Sequence, residues 1–431
     1  MNISKIFKLS AVALAAISVS GAALADTAET KGGLKIKTDD GRFEMSIGGR
    51  IQYDYYNVNQ DDEAVFGSGV TTGSQNGSFF RRARLSFAGK LYGWEYLFVP
   101  DFSQNTGGIG ATAGGGTTGL TFGTGATGPG VGVNFQELYV TTKVWDGTLF
   151  IGQFKPFRGM EELTSSNEIT FLERPFTTAS GLYNTQFGMG VGYQKVFMDM
   201  FNVAVNTYTL PGTGQNAASG TTNGGYAVGG RIVFSPIHDE GLVAHLGTSY
   251  SYERTQNNLT QGAGVRYAGR RGGNTGTLVT NVANSGNQYF AVEAAGVLGP
   301  VYFQSEIGKG QFGQAGITTN LGATALHAAA SWFVTGETKP YDLKKGVFKS
   351  PKPINSWGAV ELTTRFEYFD DEGAVTGSTE IQDVTNFIAG VNYYVNPNVR
   401  FMVNYNWANA TSVADTHDKP ESIAIRTHVY W

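Results

Sequence analysis

The sequence predicts an all-β fold, a transmembrane antiparallel β-barrel, and three observations carry that prediction. From Gly41 to Trp431, stretches of about ten residues alternate apolar with polar or small side chains and then break at turn residues, the pattern of strands with one face in lipid and one in water. Aromatic residues recur towards the ends of the apolar faces, as interfacial girdles require. A leader of secretory type precedes the strands and no convincing run of helical periodicity follows it; strands that cross lipid must close on themselves, because an open edge leaves backbone groups unpaired there.

The leader comes first in the chain. Lys5 and Lys8 precede an apolar run from Ala11 to Val19 and a small-residue exit at Ala23-Leu24-Ala25, so residues 1–25 are expected to be a signal peptide cut before Asp26, leaving 26–431 as the barrel. The apolar run is too short to anchor the chain, since a spanning helix needs about 20 such residues. Two lysines leave with the leader, which takes the formal charge from −4 to −6 and argues against nucleic acid as a partner. Cysteine is absent, and 60 glycines, 28 phenylalanines and 21 tyrosines stand against 12 prolines, a composition of many strands and loose loops.

The strands follow. Phe43, Met45, Ile47, Ile51, Tyr53 and Tyr55 form one face and Glu44, Ser46, Arg50, Gln52 and Asp54 the other. Phe187, Met189, Val191 and Tyr193 alternate with glycines and Gln194. Near the C-terminus, Phe387, Val391 and Tyr393 lead to the turn Asn396-Pro397-Asn398, and Val399, Phe401, Val403 and Trp407 resume outward. The last strand sets Ile423, Ile425, Val429 and Trp431 against Arg426 and His428. At roughly 25 residues per strand and connection, 431 residues less the 25 of the leader leave 406, enough for about sixteen strands. Long connections are expected at Asn59–Ser78, Gly107–Gly132 and Gly212–Gly225. The second carries a G-x-G-x-x-G match at Gly123–Gly128, but Pro129 follows with no helical pattern, so it does not signal a nucleotide site.

Catalytic chemistry finds no support: G-x-S-x-G, P-loop and H-E-x-x-H patterns are absent, and His238, His245, His327, His417 and His428 lack ligand spacing. No enzyme activity, metal or cofactor is expected. The acid pairs Glu161-Glu162 and Asp370-Asp371 read as solvated loop residues.

Arginine is the informative residue. A guanidinium at mid-depth on the lipid face costs about 2–4 kcal/mol, so Arg50 belongs to the lumen. In Phe79–Phe87 the outward set Ala83, Leu85 and Phe87 sends Arg82 and Arg84 inward, while Arg81 has the wrong parity unless it stands at the rim or on a bulge. Arg266, Arg270 and Arg271 cluster near an expected pore mouth. Stacked guanidinium groups make a positive path whose forks match phosphate or carboxylate oxygens. The alternative is that acids such as Asp54, Glu95 and Asp101 neutralise them as wall pairs.

At these residues the chain resembles the phosphate-selective porin O and P family of Gram-negative outer membranes. The resemblance runs from Gly32-Gly33 to Trp431 and is carried by Ser46–Arg50, Phe80–Leu85, Gly152–Phe157, Leu163–Ser166 and Leu172–Arg174, taken in that order. It implies a trimeric sixteen-stranded barrel in which a loop folds inward as a constriction. Arg50, Arg81 and Arg82 would resemble members of an arginine ladder that Arg266 and Arg270 continue at the entrance. Ser165, Ser166 and Arg174 would lie on the constricting loop, with Lys352 near the pore. Glu162 stands where phosphate-selective members carry a lysine, Asp342 would replace another, and Ala268 interrupts the entrance arginines. The family's acidic position falls on Gln136 or Glu137.

The first reading is therefore an outer-membrane porin for passive diffusion of small anions, phosphate or polyphosphate among them, with Arg50, Arg81, Arg82, Arg84, Arg266 and Arg270 on the pathway. Two others stay open: a general porin of weak selectivity, and a structural barrel whose glycine-rich loops bind at the cell surface.

Overall fold

The structure is a computed structural model that describes residues 27–29, 34–60, 73–103, 119–122, 131–182, 186–210, 225–254, 263–273, 275, 286–313, 321–372 and 381–431. The expected leader, the Gly123–Gly128 match and most of the Gly212–Gly225 connection lie outside them.

Sixteen long strands make the wall. In chain order they are Phe43–Gln60, Gly73–Leu91, Trp94–Asp101, Val131–Val144, Gly147–Phe154, Gly188–Phe197, Phe201–Thr209 and Tyr226–Asp239. The second half comprises Leu242–Arg254, Gly286–Leu298, Val301–Phe312, Leu321–Phe333, Ala359–Asp371, Ile381–Asn396, Val399–Ser412 and Glu421–Tyr430. Each pairs antiparallel with the next, and the last pairs with Arg50–Asn59 of the first, which closes the sheet. Trp431 and Gly49 complete the seam with two backbone hydrogen bonds of 3.0 and 3.1 Å. Closure leaves the lower part of the first strand without its neighbour, and Leu34–Lys37 takes that edge by pairing with Glu44–Ile47.

The period-two pattern is the structure's own. Ile51, Tyr53 and Tyr55 are exposed on the outer face while Gln52, Asp54 and Tyr56 are buried within. Ile423 and Ile425 repeat this against Arg426 and His428. Six connections between described strands are tight, and five of them carry residues of left-handed φ, as at Tyr92, Trp145, Asp146, Met198 and Asp199, which matches the twist of paired strands. Trp94, Trp145, Trp332 and Trp431 stand exposed at that end, a girdle that marks one membrane interface. The expected Asn59–Ser78 loop is shorter than the sequence suggested, because the strands run on to Gln60 and from Gly73. Among the described residues, helix is confined to two turns, Met160–Leu163 and Phe176–Ala179. No helix of the described residues is long and apolar enough to cross a membrane; the crossing is made by strands.

Among the described residues, three segments enter the lumen. Residues 155–182 lead from Phe154 across its width. Residues 263–273 lie over them, with Gly264 N–H donating to Ser180 O at 2.7 Å. From the end of the tight turns, residues 334–358 bring in a hairpin whose Val347 and Phe348 pack with Met160, Val243 and Tyr302.

Candidate functional site

Residues 155–182 cross the lumen because inward side chains from several wall strands grip their backbone. Asn206 accepts Phe157 N–H (2.8 Å), Glu306 accepts Met160 N–H (2.6 Å), and Asn404 accepts Leu172 N–H (2.9 Å). Arg400 donates to Ile169 O, Arg365 to Glu173 O, Asn392 to Thr170 O, and Arg426 to Leu172 O. Gly192 faces the loop's root: a Cβ there would sit 2.8 Å from the Phe157 ring. A backbone with neither helix nor sheet partners is tolerable in a lumen only when its polar groups are satisfied in this way.

Arg81 resolves its parity by a β-bulge. Gln52 pairs with Arg82 and Tyr53 with Phe80, so Arg81 has no partner in the register, and two successive arginines turn inward. Its guanidinium grips Glu173 of the loop through two bonds of 2.7 and 3.0 Å. Arg426 joins the same carboxylate at 3.1 Å and holds Asp54 bidentately at 2.6 Å. Burial alone would raise the Glu173 carboxyl, yet Arg81, Arg426 and Arg270 hold it well below the usual carboxylate range. These arginines tie loop to wall.

Further along the first two strands lies a second group. Arg50 and Arg84 are cross-strand partners. Arg50 donates to Ser166 Oγ (2.5 Å) and Arg82 to Gln52 Oε1 (2.7 Å). Among the described residues, neither has a carboxylate within ion-pair distance, whereas Arg84 bonds Asp101 at 2.7 Å. Lys155 and Arg174 stand across from them on the loop, with Glu162 at 3.8 and 3.7 Å. Glu137 lies in the electrostatic neighbourhood of Arg50, Arg84 and Lys155. Gln136 is instead the extra residue of a bulge opposite Val99 and Pro100, so Glu137 is the acid that faces the cations. Five cations, Arg50, Arg82, Arg84, Lys155 and Arg174, thus meet three carboxylates, Asp101, Glu137 and Glu162. Burial, with the charge of Arg174, pushes the Lys155 ammonium down to about 7.

The remaining sequence candidates divide. Ser165 starts the turn before Ser166, and its Oγ accepts Asn167 N–H at 3.3 Å. Arg266 and Arg270 lie on the 263–275 segment with Arg271, whose guanidinium stacks 4.4 Å from Phe79. Ala268 there takes a left-handed φ of 54°, and its carbonyl accepts Ser422 Oγ. Lys352 is exposed on residues 334–358, two residues beyond Ser350, whose Oγ donates to Asn167 O, next to Ser166 on the loop, at 3.2 Å. Asp342 pairs with Lys349 at 2.8 Å inside the incoming hairpin, so it answers a local lysine and not the site of Glu162. Glu161 and Glu162 are loop residues as expected, but buried and not solvated; Asp371 is likewise buried, at a strand end. Of the acids expected as wall partners, Asp101 takes Arg84, Asp54 takes Arg426, and Glu95 takes Lys90 outside the arginine group.

Sequence reasoning gave no role to Lys155, Arg158, Arg231, Arg365 or Arg400. Arg231 bonds Glu293 and receives the incoming hairpin through Lys345 O and Gly346 O. Strand parity was the available signal, since Arg231 and Arg400 each flank outward apolar residues. His245, His327 and His428 point inward and bond Tyr341, Thr177 and Asn167 of the inserted segments at 2.7 to 3.2 Å. Among the described residues no group of acids and histidines is arranged to hold a metal.

A closed sixteen-stranded barrel with an apolar exterior, a charged lumen and a loop drawn across it is the architecture of an outer-membrane porin. The family model for phosphate-selective porin O and P matches residues 45–431, and the chain belongs to that family. It is 28% identical to Porin O of Pseudomonas aeruginosa, over 94% of this chain and 93% of that protein. Among solved structures it is similar to an anion-selective porin from Comamonas acidovorans (TM-score 0.54, 12% identity, 90% of this chain and 99% of that one). It is also similar to OmpT of Vibrio cholerae in its trimer form (TM-score 0.51, 11% identity, 90% and 99%). At such identities these structures speak for the fold, and the protein is placed in the Gram-negative outer membrane by its family.

Proposed function

We propose that the protein passes small anions by passive diffusion, with the group around Arg50 and Arg82 as its selective constriction. The observation that carries this reading is the imbalance of that group: five cations against three carboxylates, with Arg50 and Arg82 bonded to a neutral hydroxyl and a neutral amide. Guanidinium groups with unspent charge in a narrow aqueous passage stabilise anions and repel cations. Arg266, Arg270 and Arg81 form the approach on this reading, and Ser166 with Arg174 line the narrow part. Ser165 supports that turn. Lys352 stands near the constriction, on the hairpin that bonds the loop at Asn167. The names of Porin O and of the anion-selective Comamonas porin support the same direction, and phosphate is one candidate solute. The trimer form of the Vibrio structure supports a homotrimer, which on this reading sits in outer-membrane lipid after export and cleavage of residues 1–25. No turnover chemistry, cofactor or nucleic acid enters the reading.

A general porin of weak selectivity is the second reading, and Asp101, Glu137 and Glu162 favour it. Reversal potential in a planar bilayer under a potassium chloride gradient separates them. A value near the chloride equilibrium potential supports the anion reading, and one near zero or on the potassium side overturns it. Absence of conductance would leave a surface-binding structural barrel.

A further inference from the structure

Glu162 occupies an unusual place in the cationic group. Lys155 begins the loop directly after the strand that ends at Phe154, and Arg174 lies twelve residues beyond Glu162 along the loop. Both aim at the same two carbonyls: Lys155 Nζ donates to Glu162 O at 2.5 Å and to Thr164 O at 3.5 Å, while Arg174 Nη2 donates to Glu162 O at 3.4 Å and to Thr164 O at 2.5 Å. These carbonyls end the Met160–Leu163 turn, where cations are favoured. The side chain of Glu162 then adds a full negative charge, its oxygens 3.8 Å from Lys155 and 3.7 Å from Arg174. Its side chain is 1% exposed, against 15% for Lys155 and 7% for Arg174. The carboxylate is therefore the most deeply buried of the three charges, and the two cations are the more exposed to the lumen.

That order has an electrostatic consequence. A solute arriving from the lumen meets two donors whose charge is already half offset from the buried side. Attraction scales with the product of charges, so the offset takes more from a divalent oxyanion than from chloride. Charge-assisted bonds that would hold an oxyanion are weakened without closing the passage.

We propose that Glu162 is a specificity-determining internal counterion, which lets small monovalent anions pass the Lys155–Arg174 pair and keeps multivalent oxyanions from being retained there. The proposal rests on the anion-passing reading above and deepens it.

The test is block of chloride current by sulfate, a dianion across the working pH range, measured in planar bilayers at pH 6. Native channels should be blocked weakly. Glu162→Gln keeps the shape and removes the charge, and its half-blocking sulfate concentration should fall by about tenfold or more, the factor that 1.4 kcal/mol represents. Glu162→Asp should retain weak block. Gln186 donates to the Glu162 carboxylate at 3.4 Å, so Gln186→Lys neutralises that charge from outside and must strengthen block in the same direction, even if Glu162→Gln fails to assemble. Unchanged sulfate block in these variants overturns the proposal, as does tight block of the native channel. Native reversal potential is recorded in the same membranes: a cation-side value there sinks the anion reading itself, whereas an anion-side value with unaltered block sinks only the role of Glu162.

Discussion

Lys155 should make the selectivity of this pore depend on pH around neutrality. Its ammonium is held down to about 7 by burial and by Arg174, against the restoring pull of Glu162 and Glu137. The sign follows: the charge is present below pH 7 and absent above it. Protonated, the constriction holds five cations against three carboxylates; deprotonated, it holds four against three, so its net charge falls from two to one. A unit charge about 4 Å from a passing ion is worth about 1 kcal/mol at the dielectric constant of water and about 4 kcal/mol at the effective value of protein surfaces. The lower figure already changes each ion's stabilisation roughly fivefold, and because anion and cation shift in opposite senses their permeability ratio changes roughly thirtyfold. Reversal potentials between pH 6 and 8.5 should show that ratio falling as pH rises, with its midpoint near 7. Lys155→Arg keeps the charge and should flatten the profile at its acidic level; Lys155→Met should flatten it at the alkaline one. If Lys155→Arg retains the native pH dependence, another group titrates and the assignment fails.

Three further outcomes are expected. Replacing Arg50 and Arg82 together by alanine should lower the anion preference while the barrel remains heat-modifiable on gels, because both are held by neutral partners; an unmoved reversal potential would make them wall residues. Arg426→Ala leaves Asp54 without its bidentate partner and Glu173 short of one, a loss of about 3–5 kcal/mol for a broken buried pair, to be read as a lower temperature of barrel opening in detergent. Glu306→Ala removes the carboxyl group that holds the loop at both Met160 N–H (2.6 Å) and Thr177 Oγ1 (3.5 Å); the variant should show noisier open channels and faster proteolysis between Phe157 and Phe187, and native-like traces would refute the latch.

The sequence by itself determined the wall. Alternation is a local property with a period of two residues, so Ile51, Tyr53 and Tyr55 outward and Arg50, Gln52 and Asp54 inward could be read without knowing any partner strand. The same logic sent Arg82, Arg84, Arg426 and His428 to the lumen, and the length after the expected leader set the strand number near sixteen. The family resemblance implied that Ser165, Ser166 and Arg174 share one inward loop.

Tertiary structure decided what the charges do. Arg81 needed a bulge, and a bulge depends on register against the neighbouring strand, which alternation within one strand does not encode. Asp54 was available to any inward arginine; it pairs with Arg426, 372 residues away, because barrel closure makes the first and last strands neighbours. Lys155 looked like part of a strand motif and Glu162 like a solvated acid. They meet at Arg174 because wall side chains from several strands hold the loop's backbone across the lumen. Which charges cancel and which remain for a passing ion is set by distances of a few ångströms between residues far apart in the chain, and only the closed barrel fixes those distances.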